Sequence, residues 1–404
     1  MRKIIILLLI IQSYKGISQD YQTYITPFLQ SALEKNPAIS AAALELKASE
    51  NYQAQASVFP DPAFVLSWFG NIMPKQALQQ TARISYMQAI PWFNQVKTQK
   101  NLASVNTEKA ELNYLYTVQN VFLELYKSFF DLYYRKKQIE WLQINYKLMQ
   151  QRKDWVNASY ITGKTSLVSA LLLDILLLDL HTSIENKQAE ILTIESNFIK
   201  LIGDDSIKLE LPAILLFPEL DKEHDSLINS ILEYNLRLKI SKTQIQLAEY
   251  LSILEQKKYA PSLSLGIEYN LSSTAEHFSL PMPMISVKLP LRRKIYAQTI
   301  AAKNHEFEAS IYQFENEKMR LLQQFENLWT SYQNNHNNWK TSQEILLINE
   351  QALALMQSSV LGNEATFADW VYLQEKYINT RLNQLSLENE IRKNMAEIQF
   401  MQSF

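Results

Sequence analysis

The stretch SLSLGIEYN, from Ser262 to Asn270, alternates between two kinds of residue. Leu263, Leu265, Ile267 and Tyr269 take one parity; Ser262, Ser264, Gly266, Glu268 and Asn270 take the other. A period of two with one apolar and one polar face is a half-buried strand. Further on, Ile285, Val287 and Leu289 alternate with Ser286 and Lys288, which completes a hairpin. A second hairpin lies upstream. There Phe64, Leu66 and Trp68 alternate with Ala63, Val65 and Ser67, and Ala82, Ile84 and Tyr86 alternate with Arg83 and Ser85. An apolar outside over a polar inside is the pattern of a membrane barrel, but an antiparallel sheet packed on helices reads the same way. Trp68, Phe69, Tyr86, Trp92, Phe93, Tyr269, Phe278 and Tyr296 lie at or near strand ends, as an interfacial girdle would have them.

Helices surround the hairpins. From about Trp92 to Tyr160 no proline or glycine interrupts the chain. Such a helix would be roughly 100 Å long, far beyond the span of a compact domain. Leu115, Val118, Phe122, Leu125, Phe129 and Leu132 are spaced three and four apart, and Leu322, Phe325, Trp329, Tyr332, His336 and Trp339 keep the same rhythm. That is a seam for side-by-side packing of helices. Only six glycines occur in 404 residues, which suits long helices and disfavours phosphate-cradling loops.

The chain repeats itself at an offset of roughly two hundred residues. Leu33-Glu34-Lys35-Asn36 recurs as Leu232-Glu233-Tyr234-Asn235. Phe59-Pro60-Asp61-Pro62 precedes the first hairpin and Tyr259-Ala260-Pro261-Ser262 the second. Ile90-Pro91 and Leu289-Pro290 close the hairpins, and a lone Gly163 or Gly362 ends each long helix. The reading divides the chain into a signal peptide at 1–18, repeats at about 21–202 and 224–403, and a linker at 203–223. Strands fall at about 62–90 and 262–290.

The signal peptide rests on Arg2 and Lys3 before the apolar run Ile4 to Ile11, with small residues Gly16 and Ser18 and cleavage expected near Ser18–Gln19. No other segment approaches twenty apolar residues by this reading, so any membrane entry is expected through strands. Four strands cannot close a barrel. Two copies would supply eight and three would supply twelve, and strand count alone does not choose.

Net charge is −2, with no basic excess to hold a nucleic-acid backbone. The absence of cysteine removes disulfides, thiolate metal sites, a thiol nucleophile and a lipid-modified N-terminal cysteine. His181, His224, His277, His305 and His336 form no pair at metal-ligand spacing, and His336 falls in the helix seam. There is no nucleophile elbow, phosphate loop or calcium loop, so no cofactor and no catalytic residue is expected. One soft-metal candidate stands apart. Pro281-Met282-Pro283-Met284 opens the last strand, and Met282 and Met284 share the polar parity of Ser286. Thioether sulfur suits soft cations, although methionine also fills apolar space.

Taken in order across both halves, these elements resemble the TolC-type outer-membrane efflux proteins, and more closely their cation-efflux branch. The likeness runs from about Tyr21 to Phe400. It rests on Asn36-Pro37, Pro60-Asp61-Pro62, Gln88-Ala89-Ile90-Pro91-Trp92-Phe93 and Tyr160-Ile161-Thr162-Gly163. The resemblance implies a mainly α protein with a β-barrel part. Three chains would each give two hairpins to one 12-stranded barrel in the outer membrane of a Gram-negative bacterium, with a long-helix α-barrel in the periplasm. Leu263, Leu265, Ile267, Ile285 and Val287 would face lipid. The linker, broken by Pro212 and Pro218, would belt the middle.

The resemblance also implies a passive duct that works with a periplasmic adapter and an inner-membrane pump of the RND type. Tyr160, Gly163, Lys164, Thr165, Ser166 and Leu167 would form one tip turn, and Gly362, Asn363, Glu364 and Thr366 the other, both touching the adapter. Each glycine by itself reads as a left-handed helix cap. Family members carry entrance aspartates where this chain has Ala368 and Val371, so Glu364 and Asp369 are the remaining candidate entrance carboxylates. A soluble periplasmic coiled-coil adapter or rod, with the hairpins as a small packed sheet, is the competing reading. A surface adhesin fits less well, because the loops at about 71–80 and 271–280 are short.

Overall fold

A computed structural model of the chain describes residues 21–68, 80–91, 94–162, 165–204, 210–217, 220, 223–272, 280–361 and 367–402. The expected signal peptide lies outside the described residues, as do Phe69, Trp92, Phe93 and Phe278 of the expected girdle.

One order of elements occurs twice. The first half runs α1 (Gln22–Lys35), α2 (Pro37–Gln55), β1 (Ala63–Trp68), β2 (Gln80–Ile90), α3 (Gln95–Ile161) and α4 (Leu167–Ile202). The second runs α5 (His224–Tyr234), α6 (Leu236–Lys258), β3 (Ser262–Ser272), β4 (Met282–Lys288), α7 (Arg293–Leu361) and α8 (Phe367–Gln402). The long helices α3 and α7 hold 67 and 69 residues without a break.

The matched asparagines do the same work in each half. Asn36 and Asn235 both leave the helical region at ψ 125° and 126°, parting α1 from α2 and α5 from α6. Pro37 adds its own bias against helix at Asn36. The Asn36 side-chain Oδ1 accepts from the backbone N–H of Ala38 and Ile39 at 2.8 and 3.2 Å, which caps α2. Its amide donates to the Leu201 carbonyl at 2.7 Å, at the end of α4. The Asn235 amide donates to the Met401 carbonyl at 3.0 Å, at the end of α8. Each buried asparagine thus ties the entry of its half to the exit. Asn36→Ala strands the Leu201 carbonyl and uncaps α2. We expect a loss of about 1–3 kcal/mol, read as a lowered unfolding midpoint, with Asn235→Ala close behind.

Gly203 ends α4 at φ +73°, and its N–H donates to the Ile199 carbonyl at 2.8 Å. A side chain there would be strained by the backbone and would also bring its Cβ within 2.8 Å of the Lys35 carbonyl oxygen. Lys35 and Asp204 pair across the same joint.

The chain forms two compact units. One comprises Met1–Ala41, Leu115–Leu236 and Met319–Phe404. Within it Val118, Phe122, Leu125, Phe129 and Leu132 of the α3 seam are fully buried. Tyr21, Tyr126, Phe129 and Phe130 form a ring cluster with edge contacts near 5–6 Å, and Phe400 of α8 joins it. The α7 seam buries Phe325 and Tyr332 as expected and departs from the expectation at its first position. Leu321 is buried, whereas Leu322 is only partly covered. A residue at either position keeps heptad spacing to Phe325, so the rhythm alone did not distinguish them.

The helix seam also carries amides. The Gln138 amide donates to Ser386 Oγ at 2.8 Å, and the Gln374 amide donates to Asn145 Oδ1 at 3.1 Å. Satisfied pairs of this kind fix the register of packed helices more sharply than leucines do.

One expectation is overturned. Helix α4 contains an 18-residue window of mean hydropathy 1.8 with at most two charged residues, long and apolar enough to cross a membrane by that measure. Two aspartates, Asp174 and Asp179, interrupt what would otherwise be a plain leucine run. Leu173, Leu176, Leu177, Leu180 and Ile184 of this helix pack with α3 and α8 in a core that includes Trp370 and Val371. Asp174 pairs with Lys153 of α3 at 2.7 Å. The opposite side, with Leu171, Ile175 and Leu178, is exposed.

The other unit comprises Ala42–Tyr114 and Arg237–Lys318. It contains the sheet and flanking helix segments held by polar contacts: Lys109 to Gln244 at 2.6 Å, Ser252 to Asn304 at 2.5 Å, and Arg237 to Glu317 at 2.5 Å.

Candidate functional site: the sheet faces and the helix turns

The four strands form one antiparallel sheet in the order β1-β2-β3-β4. The hairpins therefore meet through β2 and β3, each eleven residues long. Register sorts every strand residue to one of two faces. Leu265 lies opposite both Gln88 and Ile285, Leu263 opposite Ile90 and Val287, and Ile267 opposite Tyr86 and Pro283. Phe64, Leu66 and Trp68 of β1 meet Tyr86, Ile84 and Ala82 on that same face.

This apolar face is open. Trp68 is 76% exposed and Ile285 72%, and Phe64, Leu66, Tyr86, Leu265, Ile267 and Val287 are exposed as well; Leu263 is half-buried. The polar face is covered along the middle strands and open on the outer ones, where Val65 of β1 and Met282 and Ser286 of β4 are exposed. Ser85, Glu268 and Asn270 are buried on the middle strands, and Arg83 Nε lies 3.2 Å from the Glu268 carboxylate. A water-soluble sheet has the reverse arrangement, with apolar residues covered and polar ones wet. The outer edges of β1 and β4 have no partner strand among the described residues. Unsatisfied edges of this kind ask for further strands.

Gly266 sits opposite Met87, close against the backbone of β2. A Cβ there would collide with the Tyr86 carbonyl oxygen. Register places Met87, Gly266 and Met284 in one row of the polar face, and Ser85, Glu268 and Met282 in the next. Met282 and Met284 thus lie on the expected face, and Met87 joins them. Sequence parity alone could not show this, because the β2–β3 register decides it.

At the helix turns, Tyr160, Ile161, Leu167 and Val168 are exposed and Thr165 is half-buried. Ser166 caps α4 by accepting from the Ser169 N–H at 3.2 Å. Asp369 is exposed in the first turn of α8, where a carboxylate complements the helix dipole. Val371 is buried in the core of that end of the unit. Gly163, Lys164, Gly362, Asn363, Glu364 and Thr366 lie outside the described residues. No group of three or more acidic or histidine side chains able to hold a metal ion occurs among the described residues.

The linker and the histidines were not fully legible in sequence. Phe217 stacks on Trp339 at 3.9 Å and 17°. Tyr332 and Trp339 flank His336 as near-parallel rings at 5.8 and 6.3 Å, so this histidine is an aromatic seam residue. His224 opens α5, with one ring nitrogen 3.1 Å from Asp225 and the other 3.0 Å from Glu326. The bond to Asp225, followed by that to Glu326, raises its pKa above the ordinary value of 6.5. Its contribution to stability is therefore full below the unfolded pKa and is lost as pH rises through the folded one. Unfolding midpoints should fall modestly as pH rises above about 6.5, and His224→Gln should flatten that slope.

No protein-family model matches the sequence, and no curated protein does. Solved structures do match. CusC, whose structures concern folding and transmembrane channel formation, superposes with a TM-score of 0.82 at 13% identity over 94% of this chain and 92% of its own. The outer membrane protein VceC of Vibrio cholerae gives 0.79 at 14% identity, over 95% of this chain and 98% of that one. This chain has the fold of those proteins. The MtrE outer membrane channel of Neisseria gonorrhoeae, in its open state, gives 0.78 at 13% identity over 94% and 89%. The fold, mainly helical with two hairpins joined in one sheet, is therefore that of the outer-membrane channels, and it agrees with the class read from the sequence.

Proposed function

We propose that the chain is the outer-membrane component of a tripartite efflux system of the TolC type, in a Gram-negative outer membrane. The observation that carries this reading is the sheet, with its apolar face open, the middle of its polar face covered and both outer edges unpaired among the described residues. Lipid covers such a face, and further copies close such edges. Three copies give the twelve strands of one barrel, with Leu263, Leu265, Ile267, Ile285 and Val287 toward lipid. The fold shared with CusC, VceC and MtrE supports the same assembly.

On this reading the mature protomer is two repeats, about 21–202 and 224–403, joined by the 203–223 linker. It catalyses no reaction, holds no cofactor and binds no nucleic acid. Substrates pass down the lumen, and the pump supplies the driving force. The tip residues Tyr160, Gly163 to Leu167, Gly362 to Glu364 and Thr366 meet the adapter, and Glu364 and Asp369 mark the entrance. The exposed leucines of α4 are where neighbouring helices pack. The cargo is metal cations or small toxic compounds, with Met282 and Met284 as soft donors lining the way out. Loss of the gene should lower the concentrations of such compounds that the cell tolerates, and the wild-type gene should restore them. Unchanged tolerance across soft metals, dyes and detergents would count against an efflux role.

A further inference from the structure

The apolar belt of the sheet stops at a cluster of cations. Lys288 ends β4 opposite Ser262, the first residue of β3. Lys257 and Lys258 end α6 just before that strand. With Tyr296, these three lysines line a cavity of about 180 Å³, the size of a small anionic group. Arg292, Arg293 and Lys294 follow at once, all exposed, and the first turn of α7 carries no acidic residue.

The charges here are poorly compensated. Lys258 pairs with Glu255 at 2.6 Å, and Lys257 donates to the Asn94 carbonyl at 3.1 Å and to Thr98 Oγ1. Lys288, Arg292, Arg293 and Lys294 have no ion-pair partner among the described residues. In the same unit Arg237 pairs with Glu317 and Lys303 with Glu306. Apolar side chains are threaded through the cluster. Leu291 is 83% exposed between Pro290 and Arg292, and Leu289 and Ile295 are also open. A leucine that bare, flanked by cations, is unfavourable in water. It suits a bilayer interface, where the leucine enters the acyl region and the cations reach the phosphates.

We infer that this collar binds anionic phospholipid headgroups of the leaflet at the helix side of the sheet, with a phosphate in the Lys257–Lys258–Lys288 cavity. The inference rests on the proposed membrane placement of the sheet. Charge complementarity commits it to anionic lipid.

The test uses the full-length protein, extracted in mild detergent and mixed with equal phosphatidylglycerol and phosphatidylcholine. Retained lipid is counted by native mass spectrometry. Phosphatidylglycerol should be enriched on the wild type. Each charge removed in the K288Q/R292Q/R293Q/K294Q series should lower that enrichment about 5-fold at low salt. Swapping arginine and lysine at the four sites should keep it. Equal retention of the two lipids, or an unchanged glutamine series, would overturn the collar. If those results come from a chain that still reaches the outer membrane, the duct reading survives them. A chain that never enters lipid overturns both.

Discussion

Leu265→Arg keeps the chain out of the outer membrane. Leu265 is the fourth residue of β3, between Gln88 and Ile285, on the exposed apolar face. An arginine on the lipid face of a membrane barrel costs about 2–4 kcal/mol at the midplane and less toward the interface, and three copies would incur that cost together. The neighbouring Ser264→Arg is the control. Ser264 lies between Ala89 and Ser286 on the opposite face, so an arginine there points toward the proposed lumen. Immunoblots of separated membrane fractions should show Ser264→Arg in the outer membrane and Leu265→Arg absent from it. Equal amounts of both would mean that the face toward lipid has been assigned wrongly.

Arg392→Leu frees the linker from the helices. Arg392 is 3% exposed on α8, and three groups surround its guanidinium. Its Nε donates to the Tyr134 hydroxyl at 2.8 Å, its NH2 group donates to the Leu216 carbonyl, and the ring of Phe130 lies 5.7 Å away. Nearby, the Tyr133 hydroxyl accepts from the Leu215 N–H at 3.1 Å. Burial pushes the Tyr134 phenol well above its usual pKa, so it stays a neutral acceptor. Removing the guanidinium strands a carbonyl and a hydroxyl away from water, at about 2–4 kcal/mol in total. The unfolding midpoint should fall, and limited proteolysis should gain a cut between residues 210 and 220. Tyr134→Phe removes one acceptor only and should cost about 1 kcal/mol, without the new cut.

Much of this architecture was legible before any coordinates, for identifiable reasons. Long runs without glycine or proline can be little but helix, and α3 and α7 end within a few residues of the expected positions. Strict alternation over Ser262 to Asn270 specified both faces of β3. What escaped depends on partners far away in sequence. The Leu-Glu-x-Asn repeat was visible, yet the role of each asparagine lies in a carbonyl about 165 residues downstream. The β2–β3 pairing joins the two hairpins, and periodicity within one strand carries no signal for it. Arg392 is one cation among many on a long helix and reads as part of a solvated face. The leucine-rich side of α4 was hidden by two aspartates, one of which is tied to Lys153.

The most direct test of the duct is the mass of the mature particle extracted from the outer membrane in mild detergent. The account predicts three chains in that fraction, sharing one closed barrel. A monomer or dimer recovered from the soluble periplasm would contradict it, and the hairpins would then be the packed sheet of a periplasmic rod.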